Sequence, residues 1–198
     1  MIRRLTDAGF SAVELLMVVA FAGSLAAITV PISGGIIDDI RLRGDAQGLS
    51  GTLALTKMTA AAKFTRARLL VNTAAGTYRV ETWQRTATPG WVAEGGDQRL
   101  SQRDRFGAGA LTAPPPDTQG ALAQPPPCLD DDDVAIEGTS CVIFNSRGIP
   151  VSSAGAPVTT QVVYLNGPTG IFATVIGATG QQQVWRSNVA AGGSWKRQ

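Results

Sequence analysis

From residue 15 to residue 32 the chain reads LLMVVAFAGSLAAITVPI, without one charged side chain, and Arg3 and Arg4 precede it. A helix over residues 10–32 would measure about 35 Å, enough to cross a hydrocarbon core of about 30 Å. The basic pair on its N-terminal side, and the lack of a comparable later stretch, predict one pass with the N-terminus in the cytoplasm and everything after Pro31 outside. Gly23 and Pro31 are the weak points of such a helix.

Beyond residue 32 the period is still helical. Leu42, Ala46, Leu49, Leu53, Thr56, Ala60, Phe64 and Ala67 recur at steps of three and four and draw one apolar stripe on a polar helix. The stripe is short and alanine-rich, so it predicts packing on the chain's own head rather than a coiled coil. Gly34 and Gly35 weaken the helix locally without ending it. The helix is therefore predicted over 10–67. From Arg68 the period changes to alternation: 69–73, 77–83, 141–145, 161–165, 172–176 and 184–186 read as strands punctuated by Gly, Pro and Asn, an antiparallel α+β head over 68–198. Within it, residues 107–137 hold two triple-proline runs and Asp130, Asp131, Asp132 and Asp133. That composition predicts a surface insertion rather than a central strand or helix.

Composition removes several classes of function. The chain has 198 residues, a net charge of +2 and no histidine. The commonest general base and metal ligand is absent, and no organised nucleophile motif replaces it, so no catalysis and no cofactor are expected. The turns 167–170 and 177–180 lack the lysine and helix start of a phosphate loop and read as hairpins. Cys128 and Cys141, the two cysteines, are spaced for a bridge closing a surface loop. Two free thiols are the alternative, and an oxidising compartment outside the membrane favours the bridge.

The start of the apolar run is unusual. A secretory signal carries its small-residue cleavage site after the apolar stretch, whereas Gly9-Phe10 stands before it. Glu14 near the start of a membrane helix costs about 2 to 3 kcal/mol unless it finds a partner. The eight residues Gly9-Phe10-Ser11-Ala12-Val13-Glu14-Leu15-Leu16 resemble the processing site of type IV prepilins and type II secretion pseudopilins. That resemblance implies a leader over 1–9, cleavage between Gly9 and Phe10 by a prepilin peptidase, and N-methylation of Phe10. It also implies a filament-assembly role for Glu14, paired with the N-terminal amine of a neighbouring subunit. Such an ion pair would offset the burial of both charges. The expected fold is pilin-like: a long N-terminal helix, membrane-embedded over about 10–32, packed on a β-rich head in the periplasm or on an extracellular filament, anchored in the bacterial inner membrane.

Val142-Ile143-Phe144-Asn145-Ser146-Arg147-Gly148-Ile149-Pro150 resembles the F-x-x-x-G-x-P element of the GspH/FimT group of minor pseudopilins and minor pilins, and 60–68 resembles that group's helix-to-strand junction. The implied role is a subunit at or near a filament tip, in a secretion or a pilus machine, with other pilin-like subunits as partners and a secreted substrate or DNA as ligand. After Glu137 no carboxylate side chain remains, whereas Arg147, Arg186, Lys196 and Arg197 do. Arg186, Lys196 and Arg197, beside Trp185 and Trp195, are candidate DNA contacts of the stacking-plus-phosphate kind. The group's glycine-arginine-x-arginine pattern is missing: glutamines follow Gly180. Packing of Trp185 in the core and solvation of the terminal basic residues is the competing expectation. Some pseudopilins bind calcium in their heads, but residues 130–133 lack glycine-punctuated ligand spacing, so a solvated acidic loop and no metal are expected.

Overall fold

In a computed structural model of the chain, residues 11–188 and 194–198 are described, the side chains of 28–33 excepted. Two compact units, Met1–Ile37 and Asp38–Gln198, divide the chain. One helix, α1 (Ala12–Ala62), contributes to both.

In the first unit α1 is apolar and uncovered. Val13, Leu15, Leu16, Met17, Val18, Val19, Phe21 and Leu25 are each 59–70% exposed. Among the described residues no helix is long and apolar enough to cross a membrane. The predicted span takes in Phe10 and the stretch 28–33, which lie outside the described backbone and side chains respectively.

In the second unit the predicted stripe is the inner face of α1. Leu42, Ala46, Leu49, Leu53, Thr56 and Ala60 are all 0–1% exposed. The helix stops at Ala62, five residues short of the predicted end. Thr65 N–H donates to the Ala60 carbonyl at 3.1 Å and Phe64 N–H to that of Ala61 at 3.3 Å. This is a Schellman C-cap, with Phe64 at φ 50° in the left-handed position usually given to glycine. Phe64 is thus turned out, 82% exposed, while Ala67 is buried as the first residue of a strand.

Among the described residues ten strands follow: β1 (Ala67–Asn72), β2 (Thr77–Gln84), β3 (Gly90–Arg99), β4 (Arg105–Phe106), β5 (Thr139–Phe144), β6 (Pro150–Val151), β7 (Thr160–Gly167), β8 (Gly170–Gly177), β9 (Gln182–Ser187) and β10 (Trp195–Arg197). They form two five-stranded sheets, ordered β3-β2-β1-β5-β6 and β10-β9-β8-β7-β4, antiparallel at every pairing. The six predicted strands are β1, β2, β5, β7, β8 and β9. Alternation sends Leu69, Val71, Val142 and Phe144 from the first sheet, and Val163, Leu165, Phe172 and Ile176 from the second, into one core with the helix stripe.

The proline-rich stretch is more than a surface insertion. It lines the outer faces of both sheets. Ala108, Leu111 and Leu122 pack on Val162, Tyr164, Ile171 and Ala173 of the second sheet. Gln124 clamps the β7 backbone, its amide donating to the Tyr164 carbonyl at 3.0 Å and its oxygen accepting from Tyr164 N–H at 3.2 Å. Farther on, Cys128 and Ile136 pack on Leu70, Cys141 and Ile143 of the first sheet. Proline suits this work, since a segment lying across a face needs few backbone donors. Cys128 and Cys141 are joined in a disulfide, 13 residues apart.

Candidate functional site

Four places carry the residues singled out by the sequence. At the start of α1, Val13 N–H donates to Ser11 Oγ at 3.2 Å, and Ser11 N–H donates to Glu14 Oε2 at 3.3 Å. Ser11 and Glu14 form a capping box, each side chain satisfying a backbone donor that the first turn leaves open. Glu14 also sits where the helix dipole favours a carboxylate. Its exposed oxygens face no cation among the described residues. Gly9 and Phe10 lie outside those residues.

The F-x-x-x-G-x-P element is the turn between β5 and β6. Phe144 is fully buried. Asn145 Oδ1 accepts from Arg147 N–H at 2.9 Å and Ile149 N–H at 3.1 Å, and Asn145 N–H donates to the Ile149 carbonyl at 3.0 Å. Gly148 takes φ 73°. The element is a structural staple: Lys57 of α1 passes this turn and donates through Nζ to the Gly180 carbonyl at 3.1 Å. The 177–180 turn is the predicted hairpin, with Gly180 N–H donating to the Gly177 carbonyl at 2.8 Å.

The basic C-terminal residues do not share one face. Lys196 pairs with Arg186, and Arg197 with Trp185, across β9 and β10. Arg186 and Lys196 line a recess of about 420 Å³ with Arg43. Arg197 lines a separate one with Trp185, Asp117 and Gln183. Arg186 is committed internally: it pairs with Asp39, which also accepts from Arg43 Nε at 2.8 Å, and its guanidinium lies 5.6 Å from the Phe172 ring centre. Burial alone would raise the Asp39 pKa, but the Arg43 hydrogen bond and the charges of Arg186 and Arg43 hold it below the ordinary value. Trp185 and Trp195 pack on the outer face of the second sheet, and Trp195 Nε1 donates to the Ala113 carbonyl at 3.0 Å. Both rings are thus packed against the second sheet.

Residues 130–133 are organised around backbone groups. Asp130 Oδ1 accepts from Asp132 N–H at 2.9 Å and Val134 N–H at 2.8 Å, and Asp131 Oδ1 accepts from Trp91 N–H at 2.8 Å.

Two arrangements escaped the sequence. Arg68 and Glu81 are register partners on β1 and β2 and form a buried ion pair at 2.6 Å, each side chain 4% exposed. Arg79 adds a second bond to Glu81 at 2.7 Å, and Trp91 lies 4.0 Å from the Arg68 guanidinium. Burial lowers the Arg68 pKa, and the Glu81 charge opposes it. The second arrangement is a carboxyl pair. Asp104 is buried beside Asp45 of α1, with one oxygen unpartnered. Burial, then the hydrogen bond with Asp45 and the charges of Asp45 and Asp38, push its pKa up to about 7.

No family model matches the chain, and no curated protein matches it. Among solved structures, the chain is similar to the minor pseudopilin EpsH from the type 2 secretion system of Vibrio cholerae. The identity is 11% and the TM-score 0.45, over 73% of this chain and 94% of that one.

Proposed function

We propose that the chain is a subunit of a pilin-like filament: a minor pseudopilin of a type II secretion pseudopilus or a minor pilin of a type IV pilus, at or near the tip. The observation that carries this reading is the first half of α1. Five consecutive large apolar residues, 15–19, point to every side of the helix, and each is 59–69% exposed. A helix apolar all round has to be buried in lipid or among other helices. Glu14 is the one carboxylate on it. In a filament core it would pair with a neighbour's N-terminal amine and fix the axial register, which a plain lipid anchor has no need of. Processing by a prepilin peptidase between Gly9 and Phe10, an inner-membrane origin and a head outside the cytoplasm follow from the same reading. The mechanism is polymerisation, not turnover. Tip placement rests on the likeness of 144–150 to the GspH/FimT element.

The test is recovery of the chain with pilin-like subunits after chemical crosslinking in cells. Wild type should crosslink to them and Glu14→Ala should remain in the membrane, uncrosslinked. Equal recovery of both, or no association of wild type with any pilin-like subunit, overturns the proposal.

A further inference from the structure

The turn between β1 and β2 and the stretch from Arg99 to Arg105 enclose a recess of about 320 Å³. Three guanidinium side chains line it. Arg99 ends β3 of the first sheet, Arg105 opens β4 of the second, and Arg103 stands on the connection between them. All three residues are exposed. Arg103 holds φ 77°, a conformation that glycine fills without strain. Its guanidinium is fixed from one side, Nη1 donating to Asp38 of α1 at 2.6 Å, yet the side chain remains 65% exposed. Arg99 and Arg105 make no ion pair or side-chain hydrogen bond among the described residues.

The carboxylates nearby are turned into the fold. Asp45 accepts from Ser101 N–H at 2.6 Å and from the Ser101 hydroxyl at 3.1 Å, and Asp38 holds Arg103. Asp104, the one carboxyl in the lining, is 7% exposed. The recess thus presents three arginine forks to solvent with their counter-charges behind them. That arrangement receives an oxyanion on two or more of its oxygens.

Size and sequence narrow the oxyanion. The volume has room for a phosphate carrying a small alcohol. The recess is tied to Asp38, and in the sequence Asp38 stands six residues beyond Ile32, where the predicted membrane stretch ends. Arginines that follow such a stretch closely meet the phosphates of anionic lipids, an attraction confined to about a Debye length of the surface. We propose that Arg99, Arg103 and Arg105 bind the phosphate of an anionic phospholipid headgroup. The choice of a lipid over a soluble phosphate rests on the membrane origin in the filament reading, whereas the anion site itself does not.

The full chain in a neutral detergent is titrated by calorimetry with dihexanoyl phosphatidylglycerol, dihexanoyl phosphatidylcholine, inorganic phosphate and a short DNA duplex. Phosphatidylglycerol should bind one-to-one and more tightly than inorganic phosphate. Phosphatidylcholine should bind far more weakly, because its choline cation meets the arginines. Arg99→Gln and Arg105→Gln should each weaken phosphatidylglycerol binding about fivefold. Both side chains are exposed and Asp38 keeps Arg103, so the melting temperature should hold. Arg147→Gln, on the exposed turn after β5, should bind as wild type. Equal affinity for the choline lipid, phosphatidylglycerol bound no more tightly than inorganic phosphate, preference for the duplex, or a double Arg99→Gln, Arg105→Gln variant that binds as wild type would each overturn the proposal. The titration needs neither partner subunits nor peptidase, so its failure and that of the crosslinking test are separate results.

Discussion

A Cβ added at Gly180 would fall 2.3 Å from the carbonyl oxygen of Gly148. The two turns, one after β5 and one after β8, touch backbone to backbone over Lys57, and both glycines have positive φ, 73° each. At Gly148 the obstruction is only the Lys57 stem, 2.8 Å away. Gly180→Ala should therefore cost on the order of 2 kcal/mol or more, Gly148→Ala about 1 kcal/mol. Thermal melts should rank them so, and adding Lys57→Ala should recover part of the loss at 148 but little at 180.

The Asp104–Asp45 pair makes stability depend on pH. The folded pKa of Asp104, about 7, lies above its ordinary 3.8, so the folded state holds a proton that the unfolded state releases. The contribution of this one group to stability is then greatest below about pH 4, falls as pH climbs toward 7, and levels off above it. Asp38 and Arg41 of α1 are the other charges acting on the site. Asp104→Asn supplies a permanent donor to Asp45. Melts at pH 5 and 8 should show its Tm gain at pH 8, about 2–4 °C for each kcal/mol recovered, and a flatter profile. A parallel profile for both proteins contradicts the pair.

Reduction of Cys128–Cys141 should cost about 3 kcal/mol, as expected for opening a loop of this size. The loss should centre on the cover of the first sheet, because Cys128 packs with Leu70, Ile143 and Val151. Hydrogen exchange with and without reductant should show faster exchange in 128–137 and β5, with β7 and β8 unchanged.

Phe64→Gly should stabilise the head by about 1 kcal/mol. The left-handed conformation costs an ordinary residue roughly that much, and an 82% exposed ring has little packing to lose. An unchanged or lowered melting temperature contradicts this account of the C-cap.

Much of this fold is written in short-range pattern. The stripe from Leu42 to Ala60 and the six alternating runs mark the helix face and the central strands, because each buries one side of a regular element. The reading failed at Phe64, whose spacing continues the stripe although a Schellman cap turns it outward. β3 was missed because Gly95 and Gly96 interrupt it with a register shift, and β10 because three residues carry no period. The covering role of 107–137 was hidden because its contacts are set by irregular backbone, not periodicity. Asp104 and Asp45, or Arg68 and Glu81, meet only through tertiary register. At the candidate site, Glu14 was conspicuous as a lone charge in an apolar run, whereas the division of Arg186 and Arg197 between recesses required the strand pairing.

The central claim is most directly tested by intact mass and N-terminal sequencing of the protein recovered from membranes of cells with and without the prepilin peptidase. The account predicts a mature chain beginning at methylated Phe10 only when the peptidase is present. A chain that keeps Met1 in both strains, or is cut after the apolar stretch, contradicts it.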